Sequence, residues 1–389
     1  MAGATATRWT DEFLDGMRDI GDPVADIAVA QVLQRGGIDE VNAAMRTLVR
    51  ADQQVPQELP DELKAYLAET LELPAWADQD KVERGQQVFE KWGIYIALCL
   101  YCASLPSSYA AANGVQVLHL TARLDTDPQR RILETGQFLF DVLSDGGFGP
   151  NGKGRRTIQR VRLMHAAVRQ LITTRSETTP GLWKAEWGTP LNQEDLAGTL
   201  LAFSCVVVEP LRRLGVRLSK GDIESYVHLW NVVGYLLGVR EDLLAADADE
   251  ATALIGAIER RQFRESPEGV ALTGALLNLM DELTPGYQFD ATIPGLVRHL
   301  IGADTADLLA IPKSAEFDRL SFFARAVDWF LSRVLGRRER ELIGYRAMSE
   351  LARPFGINLL RQIYTFQTRG KSAPFDIPDR LARRWELTP

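Results

Sequence analysis

The run Arg160-Val161-Arg162-Leu163-Met164-His165-Ala166-Ala167-Val168-Arg169 decides how the rest of this chain is read. No Gly or Pro interrupts it, and its residues recur with the period of an α-helix rather than the alternation of a strand. At that period Arg162, His165 and Arg169 stand at i, i+3 and i+7, on one face of one helix. The helix is predicted from about Thr157 through Thr174, after a flexible Gly149-Pro150-Asn151-Gly152-Lys153-Gly154 loop.

The same pattern extends to both sides. Upstream, Asp127-Pro128 offers an N-cap and a first-turn proline to a helix running from Gln129 to about Leu143, which Gly146-Gly147 stops. Downstream, Asn192 caps a helix whose first turn is acidic, suiting the helix dipole, and which is predicted to run through Leu201 and Val207 to Pro210 or beyond. A fourth helix from Asp222 carries Ile223, Tyr226, Val227, Trp230, Val233, Gly234 and Leu237 on one apolar stripe. Four such helices can pack around a shared centre.

The segment up to about Phe89 reads as several short helices, connected by Gln53-Gln54-Val55-Pro56 and Leu71-Glu72-Leu73-Pro74-Ala75. Beyond Glu316 the pattern is helical again and ends in a Ser372-Ala373-Pro374-Phe375-Asp376-Ile377-Pro378 arm. Strand signals are nearly absent, so the fold class is all-α. The expected organisation is a single domain over 1–389, with N-terminal helices in 1–89, a core in 90–310, and C-terminal helices and arm in 311–389.

Composition supports a chain that folds throughout, with 46% hydrophobic and 25% charged residues. A net charge of -8 argues against holding nucleic acid, which needs a surplus of Lys and Arg on one face. The basic clusters Arg337-Arg338-Glu339-Arg340 and Arg380-Leu381-Ala382-Arg383-Arg384 read as solvated helix faces. The start of the chain has neither a basic segment followed by an apolar one nor a twin-arginine signal, which predicts a cytoplasmic protein. Its longest largely apolar stretch, Ile94 to Leu105, is shorter than the roughly 20 residues of a spanning helix and reads as buried core. Three cysteines make no disulfide framework, and Cys99 and Cys102, in apolar company, read as core thiols.

Histidine is scarce. Of His119, His165, His228 and His299, only His165 stands between arginines on one helix face, next to the small residues Ala166 and Ala167. A haem needs this kind of arrangement: an imidazole for iron, guanidinium groups for propionates and room for a planar ring. An amphipathic helix whose arginines face water has the same spacing, and spacing alone leaves both readings open. No C-x-x-C-H is present, so any haem would be held non-covalently.

Three segments carry a resemblance. Leu118-His119-Leu120-Thr121-Ala122-Arg123-Leu124 through Arg131-Ile132-Leu133-Glu134-Thr135, the Arg162 to Arg169 helix, and Pro190-Leu191-Asn192-Gln193-Glu194-Asp195-Leu196-Ala197-Gly198-Thr199-Leu200 resemble the catalytic domain shared by mpaB-type oxygenases and the latex clearing proteins. The likeness extends from Gly21-Asp22-Pro23 to Pro374-Phe375. It implies an enlarged globin-like core around a b-type haem, with His165 as the iron ligand and Arg162 and Arg169 supporting the haem or its ligand helix. Arg131 and Thr135 would belong to the distal side, and Thr199 would line the pocket or support it.

The resemblance further implies a haem-dependent oxygenase that uses dioxygen on an apolar small molecule, with an electron donor as a further partner. Cleavage of an isoprenoid-type alkene, a monooxygenase or peroxidase reaction on a lipid, and a non-catalytic haem, gas or lipid carrier are the alternatives. Where the rubber-cleaving members carry a lysine before the distal threonine, this chain has Glu134, which reads either as a catalytic base or as a surface ion pair with Arg130 or Arg131.

Overall fold

A computed structural model describes residues 8–50, 59–121, 128–144, 146–149, 152–283 and 292–313. Among them the chain is helical, with no strand and a lone antiparallel bridge between Ala111 and Phe263. The helices predicted beyond Glu316 and the Ser372–Pro378 arm lie outside the described residues. In chain order the helices are α1 (Asp11–Arg18), α2 (Pro23–Arg50), α3 (Asp61–Glu69), α4 (Gln79–Cys99), a π-helical turn (Leu100–Ser104), α5 (Leu105–Tyr109) and α6 (Val115–Thr121). They continue with α7 (Pro128–Leu143), α8 (Lys153–Thr178), α9 (Gln193–Phe203), α10 (Val208–Arg213) and α11 (Lys220–Leu236). The last are α12 (Ala248–Gln262), α13 (Pro267–Leu283), α14 (Thr292–Ile301) and α15 (Ala303–Leu308).

Side-chain caps set several of these starts, because the first N–H groups of a helix have no partner within it. The Asn192 side chain accepts from Asp195 N at 3.0 Å, and Ser219 with Asp222 closes a capping box on α11. Asp78 and Asp247 cap α4 and α12 in the same way.

Helix α8 is the axis of the molecule. Along it Ile158 and Val161 join the main apolar core built with α4, α7, α9, α11 and α12, while Leu163, Ala166, Ala167, Val168, Leu171 and Ile172 join a second core with α2 and α3. A third core gathers the π-helical turn, α5, α13, α14 and α15. The stretch Ile94 to Leu105 is not one helix: it ends α4, passes through the π-helical turn and enters α5, with Ile96 and Cys99 fully buried. No single helix among the described residues is long and apolar enough to cross a membrane.

Four sequence expectations need correction. In the N-terminal region α1 and α3 are short and Leu71-Glu72-Leu73-Pro74-Ala75 connects α3 to α4 as expected, but α2 has 28 residues, since nothing after Pro23 removes a backbone donor, and α4 runs through Phe89. Helix α8 begins at Lys153 rather than Thr157. The glycine loop before it is closely wound: Gly154 N donates to Gly147 O at 3.0 Å, and a Cβ on Gly152 would lie 2.2 Å from that oxygen. Finally, α9 does not reach Pro210. Ser204 leaves helical geometry at φ -107, ψ -92, a 3₁₀ turn follows over Cys205–Val207, and α10 takes Pro210 into its first turn, where its missing N–H costs nothing.

Candidate functional site

His165 lies midway along α8, half-buried, with its Nδ1 shielded from solvent. The other histidines have surroundings that explain them otherwise. His119 and His299 are exposed. His228 Nε2 accepts the Asp78 N–H at 2.9 Å, its ring meets Trp76 edge-on at 5.8 Å, and burial followed by the nearby Lys81 charge pulls its pKa below 6.5.

The two arginines flanking His165 face neither water nor an open site. Arg162 grips Asp22 with both arms, Nε to Oδ2 at 2.6 Å and Nη2 to Oδ1 at 2.8 Å, while Nη1 donates to Leu236 O at 3.3 Å. Its guanidinium also sits over the Tyr66 ring at 5.9 Å. Burial works against the Arg162 charge, but the Asp22 carboxylate outweighs it and its pKa is shifted upward. Arg169 donates to Pro190 O at 3.0 Å, to Leu191 O at 2.9 Å and to Asp26 Oδ1. Burial raises the Asp26 carboxyl above its ordinary range, an effect that Arg169 only partly offsets.

All three nitrogens of each guanidinium are thereby engaged with protein acceptors, and each terminal nitrogen keeps a second N–H. Of the two roles that the resemblance implied for these arginines, support of the haem or of the ligand helix, their bonds to Asp22, Asp26 and backbone carbonyls favour the second. The alanines beside His165 are corrected. Ala166 and Ala167 pack in one cluster with Ala25, Ala28 and Val29 of α2, and their small size lets two helices approach closely.

Helix α7 packs against α8, and Thr157 at the start of α8 donates to Asp141 of α7 at 2.6 Å. On α7, Glu134 is only 3% exposed, so its carboxyl group lies inside the protein, and the side chains of Arg130 and Arg131, its expected ion-pair partners, lie outside the described residues. Thr135 next to it is half-buried. Arg131 belongs to the same helix, and its side chain lies outside the described residues.

Thr199 is a further correction. It is exposed, and its hydroxyl donates to Asp195 O at 2.8 Å. The buried residues of α9 are Gln193, Glu194, Leu196, Ala197, Leu200, Leu201 and Ala202, and at 3.6 residues per turn Thr199 falls away from all of them but its i−3 and i+3 neighbours Leu196 and Ala202.

What the Asn192-Gln193-Glu194-Asp195 run does is structural. Asn192 donates to Thr189 O at 2.9 Å and to Asp195 Oδ2 at 2.8 Å besides capping α9. Gln193 donates to Gly21 O at 2.8 Å and Gly238 O at 3.0 Å, and accepts from Arg240 N at 2.9 Å. Glu194, wholly buried, receives Arg18 at 2.9 Å, Arg261 at 2.9 Å and Gln262 at 2.8 Å. Asp195 receives Arg18 at 3.0 Å, and burial nonetheless raises its pKa. Sequence reasoning did not single out Asp22, Asp26 or Gln193. The available signal was the general one that two arginines in an interior helix need counter-charges.

Cys99 and Cys102 are buried, and burial pushes both thiols up to about 12, which makes them core residues rather than nucleophiles.

Residues 86–362 match the family described as ER-bound oxygenase mpaB/B'/Rubber oxygenase, catalytic domain. The chain belongs to this family. It is thus an oxygenase, and His165, Glu134, Thr135 and the arginines of α8 all fall within the matched stretch, whereas Asp22 and Asp26 precede it. The rubber oxygenase of Streptomyces sp. (strain K30) is 28% identical over 362 residues, which are 92% of this chain and 86% of that protein. The structure of latex clearing protein in the closed state superposes with a TM-score of 0.67 at 26% identity, covering 82% of this chain and 84% of the other. This oxygenase therefore shares its all-helical architecture with that protein across most of its length.

Proposed function

We propose that this oxygenase binds one b-type haem through His165 and uses dioxygen to cleave an alkene bond of an apolar, isoprenoid-type substrate into two carbonyl fragments. The residues fit the axial half of such a site. His165 is set in an interior helix and presents a buried ring nitrogen, the donor chemistry of a haem protein. Arg162 and Arg169 bond to Asp22, Asp26 and backbone carbonyls, which favours for them a role in holding the helix of His165. Haem, when bound, would supply the redox-active iron that dioxygen chemistry requires.

The protein's own part in the reaction falls to His165 and α7. His165 would fix the position of the iron, and Glu134, a buried carboxyl, is placed to hold or take up a proton in a low-dielectric interior. Thr135 can orient a polar group by hydrogen bonding, and Arg131 can stabilise negative charge developing on oxygen. Cleavage of a carbon–carbon double bond by dioxygen is balanced without a further reductant, because each oxygen atom ends in one carbonyl product. The name of the Streptomyces relative is what points to a polyisoprene-like substrate class.

The observation that carries this reading is His165 on the interior helix of a chain of this oxygenase family. Pyridine haemochrome analysis of protein from haem-replete cells is expected to give one haem b per chain. His165→Ala should abolish the histidine–iron stretching band in resonance Raman spectra, while His119→Ala, His228→Ala and His299→Ala retain it. Survival of the band in His165→Ala defeats the assignment. Cleavage predicts two carbonyl fragments from an isoprenoid alkene, and an intact hydroxylated skeleton would refute it.

A further inference from the structure

The acids Asp22 and Asp26 stand one turn apart at the entry to α2, with Asp26 N donating to Asp22 O at 2.8 Å. Their partners Arg162 and Arg169 stand seven residues apart on α8, about 10 Å along the axis, and His165 lies between them. One pinned point on a rigid helix still permits rotation about that point. Two pinned points, below and above the same residue, remove both sliding and rotation.

The surroundings of the two pairs are built around them. Gly238, at φ +83, leaves room for the lower pair: a Cβ there would lie 2.5 Å from Asp22 Oδ2 and 2.7 Å from Arg162 Nε. Gly21 does the same for the upper pair, where a Cβ would lie 2.8 Å from Asp26 Oδ2 and 2.9 Å from Arg169 Nε. Gln193 donates one hydrogen bond to each of these glycine carbonyls and so joins the two grips into one unit. Ion pairs, buried like Arg162–Asp22 or partly buried like Arg169–Asp26, contribute little net stability compared with apolar packing, so two of them around one helix are better explained by fixing a position than by holding the fold.

We propose that Asp22 and Asp26, acting through Arg162 and Arg169, are positioning residues that set the height and rotation of His165. This inference rests on reading His165 as the iron ligand. The grip reaches across the sequence, from a segment ahead of the family-matched stretch to the ligand helix within it. Asp22→Asn removes the charge while keeping the shape. Arg162→Lys is milder, keeping the charge while losing the two-armed geometry.

The test uses the full-length, haem-loaded chain. Partners that orient a metal ligand typically change affinity 10- to 100-fold when removed, so haem transfer to excess apomyoglobin should accelerate by about 10-fold or more in Asp22→Asn and Arg162→Lys. The histidine–iron stretching band should shift or broaden in both. Asn231→Ala, which deletes a buried hydrogen bond to Ala245 O (2.6 Å) that involves neither aspartate nor arginine of the grip, should lower the unfolding midpoint yet leave the band and transfer rate unchanged. If His165→Ala loses the band while Asp22→Asn and Arg162→Lys match the unsubstituted protein, the inference is wrong and the ligand assignment stands. Equal shifts in Asn231→Ala would overturn it too, as general loosening. Retention of the band in His165→Ala removes the ligand assignment and the inference together.

Discussion

Gly238→Ala is expected to be among the most damaging single-methyl additions in this protein. Two costs combine there. The residue has φ +83, a region where an L side chain costs roughly 1–2 kcal/mol. Its new Cβ would also lie 2.5 Å from Asp22 Oδ2 and 2.7 Å from Arg162 Nε, so the buried pair must open or shift. Breaking such a pair by removing one partner costs about 3–5 kcal/mol, and displacement without removal should reach a fraction of that, giving about 2–5 kcal/mol in all. Unfolding entropy near 2.1 cal/mol/K per residue over 389 residues makes a loss of 3 kcal/mol worth roughly 4 °C in midpoint. Gly181→Ala supplies the comparison, because Gly181 has φ +81 with no atom within 4 Å of a built Cβ. It bears the backbone cost without the crowding. Urea unfolding of the two variants side by side should place Gly238→Ala lower by the cost of displacing the pair. Equal midpoints would refute the claim that Asp22 and Arg162 are fixed against this glycine.

The remaining expectations are smaller. Gly16→Ala in α1 has no atom within 4 Å of the new methyl and should raise stability by about 0.5–1 kcal/mol; an unchanged or lowered urea midpoint would contradict it. His228, held neutral to accept the Asp78 N–H, has a folded pKa depressed below 6.5, so its contribution is complete above pH 6.5 and is lost as pH falls through the depressed value. His228→Gln should flatten that acid slope by about the worth of one hydrogen bond, 0.5–1.5 kcal/mol, and identical slopes in both proteins would rule the mechanism out.

Helix starts with a chemical signature were legible in the sequence. Asn192 caps α9 as expected, and the Pro128 start and Leu143 end of α7 follow from local punctuation. What local signals could not give was the outcome of competition at a distance. Nothing near Ser204 announces a break, and it is visible only because α9 must turn into the 3₁₀ segment before Pro210. The candidate site was legible to the same degree. His165 could be chosen from four histidines by its neighbours in sequence, whereas the partners of Arg162 and Arg169 are about 140 residues away and carry no periodicity that points to them.

The arginines show why a sequence pattern can be right about place and leave the role open. Arg-x-x-His-x-x-x-Arg puts three polar groups on one face, and a propionate, a carboxylate side chain and solvent would each satisfy the guanidinium forks equally well. In the structure three of the five N–H donors on Arg162 and three on Arg169 find protein acceptors, carboxylates and backbone carbonyls. The same reasoning settles Ala166 and Ala167, since small residues permit close approach without saying what approaches, and here it is α2. Asp22 and Asp26 thus fix α8 on its arginine-bearing side.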